Sequence, residues 1–387
     1  MNIGFVALLI LFVGATVSIL STKLKVAYTT LLVLVGLVVS IVYHAASTPA
    51  VEPTGELIIS VVLPPLIFQA GLTMHYAVFR KVQGAVVLLA VVGVVVSVIV
   101  CSLIVGFLTP LSLIAALAFG VIISPTDAAA VIDTLKKVKA PKELGTIIEG
   151  EALLNDATAL ALFSAVSALT LNPLTNAIDI LVKFGGGAIV GLALAFISTK
   201  LIAGLSDKNA QVMTSIGVAY GSFMLASVLG FSGIVAVAVL GLYIGRYYQT
   251  TESEESQNGL MIGFWNVAAF IANTAAFTFI GLACDAQYLL QYGPLIVLSF
   301  LAVLVARYVS IEAVLVPARK FAGAIPRSWR NIASLAGIRG AVSAALALSL
   351  PEFPFKGVIV AVTFGVVLLS LLVQTRLLSY YVGKVLK

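Results

Sequence analysis

Apolar runs of about 20 residues follow one another along the whole chain with only short polar breaks, and few folds survive that pattern. A run of that length is what a helix needs to cross a hydrocarbon core about 30 Å thick. In lipid every backbone amide must bond within the protein, which leaves helices and closed barrels. The runs are continuous instead of alternating residue by residue, so they read as helices and not as barrel strands. Thirteen are expected, at 3–20, 26–43, 55–72, 83–107, 111–132, 146–170, 177–202, 210–229, 231–247, 260–283, 293–317, 329–350 and 355–380. Charged residues make up 10% of the chain, against about 25% in soluble domains. Nothing is left over for a separate soluble domain, so residues 1–387 read as one all-α transmembrane unit. Only Met1 and Asn2 precede the first run, with no basic stretch before it, so it reads as a retained span and not a signal peptide.

The basic residues give the orientation. If the N-terminus lies outside, the odd-numbered connections and the tail face the cytoplasm, and these hold most of the 22 lysines and arginines, among them Lys136, Lys137, Lys139 and Lys142. Such asymmetry predicts N-terminus out and C-terminus in, at the cell membrane. The acidic connection 251–255 opposes the trend but acids count little in this rule. Topology accounts for the basic loops, so no nucleic-acid partner is expected. Cys101 and Cys284 lack the spacing of a metal site or disulfide framework, and His44 and His75 read as interfacial residues at helix ends.

Thirteen spans divide as six, a linker and six. A single crossing between the halves inverts the second, giving inverted repeats (helices 1–6 and 8–13) with helix 7 as linker. The fifth helix of each half is damaged. Helix 5 carries Ser124-Pro125-Thr126-Asp127, where proline lacks a backbone donor and disfavours helix geometry at Ser124. Helix 12 carries Gly337-Ile338-Arg339-Gly340, two glycines around a charge. Discontinuous helices at corresponding positions point to a transport site, and both are expected to unwind.

Four ionisable groups fall deep in these spans: Asp127, Glu151, Asp156 and Arg339. Asp156 is 10 residues beyond Thr146, or about 15 Å at about 1.5 Å per residue, close to mid-bilayer. A charge there is costly and marks function by default. Arginine keeps its charge and needs a counter-ion. Glu151 is the expected partner of Arg339, which leaves Asp156 without a base. Arg307 is expected to pair locally with Glu312 or to reach the interface. Burial favours a neutral carboxyl and a nearby cation favours the carboxylate. A group balanced between the two can take a proton or a metal ion in turn. Oxygen from Asp156, Asp127, Thr126 and opened carbonyls suits a hard monovalent cation and not a transition metal.

Glu-Ala-Leu-Leu-Asn-Asp-Ala at 151–157 resembles the Glu-Ser-Leu-Leu-Asn-Asp-Ala signature of sodium/proton exchangers in the cation–proton antiporter superfamily. Ser-Pro-Thr-Asp at 124–127 is similar to that family's unwound threonine–aspartate helix, and Gly-Ile-Arg-Gly-Ala-Val at 337–342 to its Gly-Leu-Arg-Gly-Ala motif. Residues 63–72 and 273–282 also resemble family segments, so the likeness covers nearly the whole chain. It implies a homodimer in lipid whose core moves as an elevator. It further implies that Asp156 binds Na+ and H+ alternately, that Asp127 and Thr126 help hold Na+, that Asn155 shapes the site and that Glu151 pairs with Arg339. The Asn-Asp pair belongs to the branch associated with electroneutral exchange. Three departures bear on ion preference: Ala152 replaces a common serine, Gln69 a frequent acid, and Ala128 a proline.

The expected function is therefore Na+/H+ antiport, with K+ or Li+ as alternative cations and no cofactor beyond the transported ions. A cation channel would need a continuous pore with repeated selectivity elements. An intramembrane hydrolase could use two aspartates, but Asp127 sits on a break beside threonine and Arg339 demands a counter-ion; no enzymatic activity is expected.

Overall fold

A computed structural model describes residues 3–24, 26–45, 54–167, 173–251, 259–319 and 323–386. Lys25, Lys320, the end of the run predicted at 146–170 and most of the acidic connection 251–255 lie outside the described residues. All regular structure among the described residues is helical: α1 (Ile3–Leu24), α2 (Tyr28–Ala45), α3 (Gly55–Thr73), α4 (Tyr76–Leu108), α5 (Leu113–Ile122), α6 (Ala129–Lys137), α7 (Lys142–Ser167), α8 (Pro173–Ala203), α9 (Lys208–Val228), α10 (Gly233–Thr251), α11 (Gly259–Ala283), α12 (Ala286–Gln291), α13 (Gly293–Leu315), α14 (Arg327–Leu335), α15 (Ala341–Leu348) and α16 (Lys356–Val385). Seven are long and apolar enough to cross a membrane: α3, α4, most of α8, α9, α11, α13 and α16. Ile10–Leu24 of α1, Tyr28–Val42 of α2 and Leu113–Ile122 of α5 are shorter apolar stretches among the described residues. Large apolar side chains such as Phe107 and Leu290 point outward, as lipid contact requires.

Three helices are eased by single wide turns, at Ile58–Val62 in α3, Leu89–Gly93 in α4 and Ser370–Gln374 in α16. Such turns loosen the usual ladder and free carbonyls that need new donors. In α3 the cause is visible, because Pro64 and Pro65 donate nothing. Val61 O, which Pro65 leaves open, accepts the Tyr220 hydroxyl at 2.9 Å. In α4, Ala90 O accepts the Thr158 hydroxyl of α7 at 2.7 Å, and Gly93 O accepts the Ser310 hydroxyl of α13 at 2.6 Å. Hydroxyls from both sides thus hold the α4 turn. The predicted run at 83–107 begins at Tyr76 instead, because Arg80 and Lys81 extend the helix at its end where their charges reach water.

The closest packing falls in two groups. In the first, α2 lies on α11, α3 on α10 and α11, and α10 on α8 and α9. The α2–α11 contact is backbone on backbone: a Cβ added at Gly281 would lie 2.7 Å from Gly36 Cα. In the second group, α4 lies on α5, α7 and α13, while α16 lies on α13 and α15. A cavity of about 1210 Å³ separates the groups, walled by α1, α2, α3 and α11 on one side and by α6, α7, α15 and α16 on the other.

Candidate functional site

Two interrupted helices cross at the inner wall of this cavity. Ser112 caps the start of α5 by accepting from Ala115 N. The helix ends at Ile122 because Pro125 disfavours helix at Ser124, and it resumes at Ala129. The second break lies between α14 and α15, where Gly337 to Gly340 are not helical. The breaks touch directly, with Asp127 N donating to Ile338 O at 2.7 Å.

Each break exposes a helix C-terminus with unpaired carbonyls and an N-terminus with unpaired amides, carrying opposite partial charges. The side chains answer that pattern. Arg339 Nη1 donates to Ser124 O at 2.7 Å and Pro125 O at 3.2 Å, beyond the C-terminus of α5. Arg307 Nη2 donates to Ala333 O at 3.2 Å, in the last turn of α14. One carboxylate caps the N-terminus of α6 and lies beside that of α15. Asp127 Oδ1 accepts from Ala129 N at 2.8 Å, and a Cβ at Gly340, which precedes α15, would lie 2.9 Å from Oδ2. Cations at both negative ends and an anion between the positive ends make the crossing electrostatically closed.

The charge pairing differs from the sequence expectation. Glu151 does not pair with Arg339. Its two oxygens accept from Arg307, one of them at 2.7 Å from Nη2, and both residues are buried. Arg307 pairs neither with Glu312 nor at the interface; Glu312 takes Arg330 at 2.9 Å instead. The physical reason is that Arg339 is engaged by carbonyls, while Gly337 leaves room for Arg307, whose Nε would lie 3.0 Å from a Cβ there. The sequence signal was a lone arginine well inside an apolar helix. Ser370, in the wide turn of α16, also went unforeseen; its hydroxyl accepts from Arg339 N at 3.1 Å.

Asp156, Asp127 and Thr126 all line the cavity. Asn155 is fully buried behind them, donating Nδ2 to Thr126 Oγ1 at 2.7 Å, which leaves the Thr126 hydroxyl proton free to turn elsewhere. Asp156 Oδ1 is buried and has no hydrogen-bond partner among the described residues. An uncompensated buried oxygen is costly, and here it belongs to a carboxylate at a cavity wall. Gln69 lies on the opposite wall and donates to Asn266 Oδ1 at 2.9 Å.

The family model of the sodium/hydrogen exchanger transmembrane region matches residues 7–384. The chain belongs to that family. It is a family of membrane transporters and not of enzymes, and the protein is an integral multi-pass membrane protein. Two similar relatives are the Na(+)/H(+) antiporter NhaS2 of Synechocystis sp., 30% identical with 97% of this chain and 69% of the relative covered, and the Na(+)/H(+) antiporter NhaG of Bacillus atrophaeus, 31% identical with 94% and 72% covered. The fold is similar to that of the sodium proton antiporter MjNhaP1 from Methanocaldococcus jannaschii, with a TM-score of 0.81 at 23% identity over 99% of this chain and 98% of that one.

For this exchanger-family chain the crossing gives a direct expectation. Gly340→Ala places a methyl 2.7 Å from Asp127 Cβ, against a backbone already fixed by the Asp127–Ile338 bond. Asp127 must shift, and misplacement on that scale costs about tenfold to a hundredfold in function. The KM for the transported cation should rise in vesicles while the purified protein remains monodisperse.

Proposed function

We propose that the protein is an electroneutral Na+/H+ antiporter in which Asp156 holds either one proton or one Na+. The observation that carries this reading is the unpartnered Asp156 oxygen beside the cavity. The other deep charges are committed: Glu151 to Arg307, Arg339 to carbonyls, and Asp127 to the amide of Ala129. Na+ at Asp156 would draw further oxygen from Asp127 and Thr126, with Asn155 holding Thr126 in place. One carboxylate taking two singly charged ligands in turn moves no net charge. The names of the relatives support Na+ as the cation.

In the same reading the protein is a homodimer in the plasma membrane, its N-terminus outside and C-terminus cytoplasmic. Helices α1 to α7 and α9 to α16 form the inverted halves, with α8 linking them. The cavity extends to Lys136, Lys137 and Arg376, and basic ends face the cytoplasm. This conformation is then the inward-facing one, and movement of the α4–α7 and α13–α16 group against the rest would carry Asp156 to the other side.

Purified protein in vesicles loaded with a pH-sensitive dye tests the proposal. Na+ should drive proton movement more effectively than K+ or Li+, and an imposed membrane potential should leave the rate nearly unchanged. Strong voltage dependence would overturn one-for-one exchange. Cation flux without proton movement would favour a channel.

A further inference from the structure

Glu149 and Asp133 are the cavity-lining carboxylates that the exchange reading leaves unused, and Glu149 is the one on the helix of Asp156. It lies seven residues before Asp156 on α7, so the two share a face about 10 Å apart along the helix. Ala152 and Leu153 complete that stripe, and all four line the cavity. Glu149 is half-buried, and no hydrogen-bond or ion-pair partner touches its carboxylate among the described residues. Lys136, at the end of α6, acts on it through space. Lys136, Lys137 and Arg376 also line the cavity, with Asp133 of α6 as the one other carboxylate near them among the described residues, so without Glu149 the cations outnumber the anions and disfavour the ion that an exchanger must admit. A carboxylate on that path makes the local potential less positive, and fields in a cleft raise the local concentration of the attracted ion.

We infer that Glu149 is a second, shallower binding station for a hard monovalent cation, which captures the ion before it reaches Asp156. The inference rests on the exchange reading of the Asp156 site. Between the two stations α7 offers only Ala152 and Leu153 on the cavity face, so the ion crosses without a helix oxygen to hold it there. The competing account is that Glu149 merely offsets the charge of Lys136.

Glu149→Gln removes the charge and keeps the shape. Reconstituted in vesicles, it should raise the KM for Na+ presented at the cavity mouth by about five- to tenfold, with kcat within about twofold of the parent. The KM for Na+ presented from the opposite side should not change. Glu149→Asp should recover most of the loss. An unchanged KM, or an equal rise from both sides, would overturn the proposal. Lys136→Gln decides between the accounts: the double variant should stay clearly weaker than Lys136→Gln alone. If the double variant returns to the parent KM, Glu149 only neutralises Lys136. A binding measurement is independent of transport. In the Asp156→Asn background, sodium NMR line broadening should persist and should fall when Glu149→Gln is added; no difference between those two proteins would count against the station. Should the parent protein move no protons in response to Na+, the exchange reading fails, while the NMR pair still reports on Glu149.

Discussion

Asp156→Asn is expected to abolish Na+-driven proton movement in vesicles, lowering the initial rate by at least about a hundredfold. Asparagine keeps the size of the side chain but can neither carry the exchanged proton nor supply the charge that binds a cation. No neighbour is free to take over. Asp127 is held by Ala129 N and lies against Gly340, and both oxygens of Glu151 are taken by Arg307. The same substitution removes a buried carboxylate whose Oδ1 has no partner. Thermal stability in detergent should therefore equal or exceed that of the parent, as is common where function maintains an unfavourable group. An inactive protein of normal or raised Tm would separate loss of chemistry from loss of fold. Residual exchange above about one-tenth would transfer the role to Asp127.

Much of this site was legible because each sequence feature had a local physical consequence. Pro125 lacks a donor and disfavours helix at Ser124, and the chain stops being helical there, whereas Pro64 and Pro65 are absorbed by the wide turn of α3. Gly337 and Gly340 bracket the second break, one admitting Arg307 and the other Asp127. Counting residues into an apolar run placed Asp156 at depth, and spacing set Asn155 beside it. Depth, however, is not direction. Glu151, Arg307 and Arg339 all lie deep, and one-dimensional spacing could not choose which arginine meets the carboxylate, since the choice depends on how α7, α13 and α14 pack. The wide turns of α4 and α16 were equally hidden. Their freed carbonyls find Thr158, Ser310 and Thr30, from helices distant in sequence. Glu149 passed unnoticed for a third reason: it is separated from Glu151 by one glycine, and only the packed helix turns the first toward the cavity and the second away.

Arg307→Met should be the most destabilising single change at the crossing. It leaves Glu151 wholly buried without its counter-ion, and breaking such a pair costs about 3–5 kcal/mol. Glu151→Gln should cost less, because a neutral amide in the same place still offers an acceptor. The double variant should lose less than the sum of the two, because once Glu151 is neutral no buried anion is stranded, and the non-additivity measures the pair. Arg339→Met should behave differently. It deprives Ser124 and Pro125 of their donor and loosens the α5 break, and its effect should be nearly additive with that of Glu151→Gln. Thermal unfolding of the parent, the three single variants and the two double variants in one detergent gives the comparison. Strong coupling of Glu151 to Arg339, with none to Arg307, would restore the pairing expected from sequence. Coupling to Arg307 alone would mean that the arginine of α13 locks α7 to the end of α14, so that Asp156 and the two breaks move as one body.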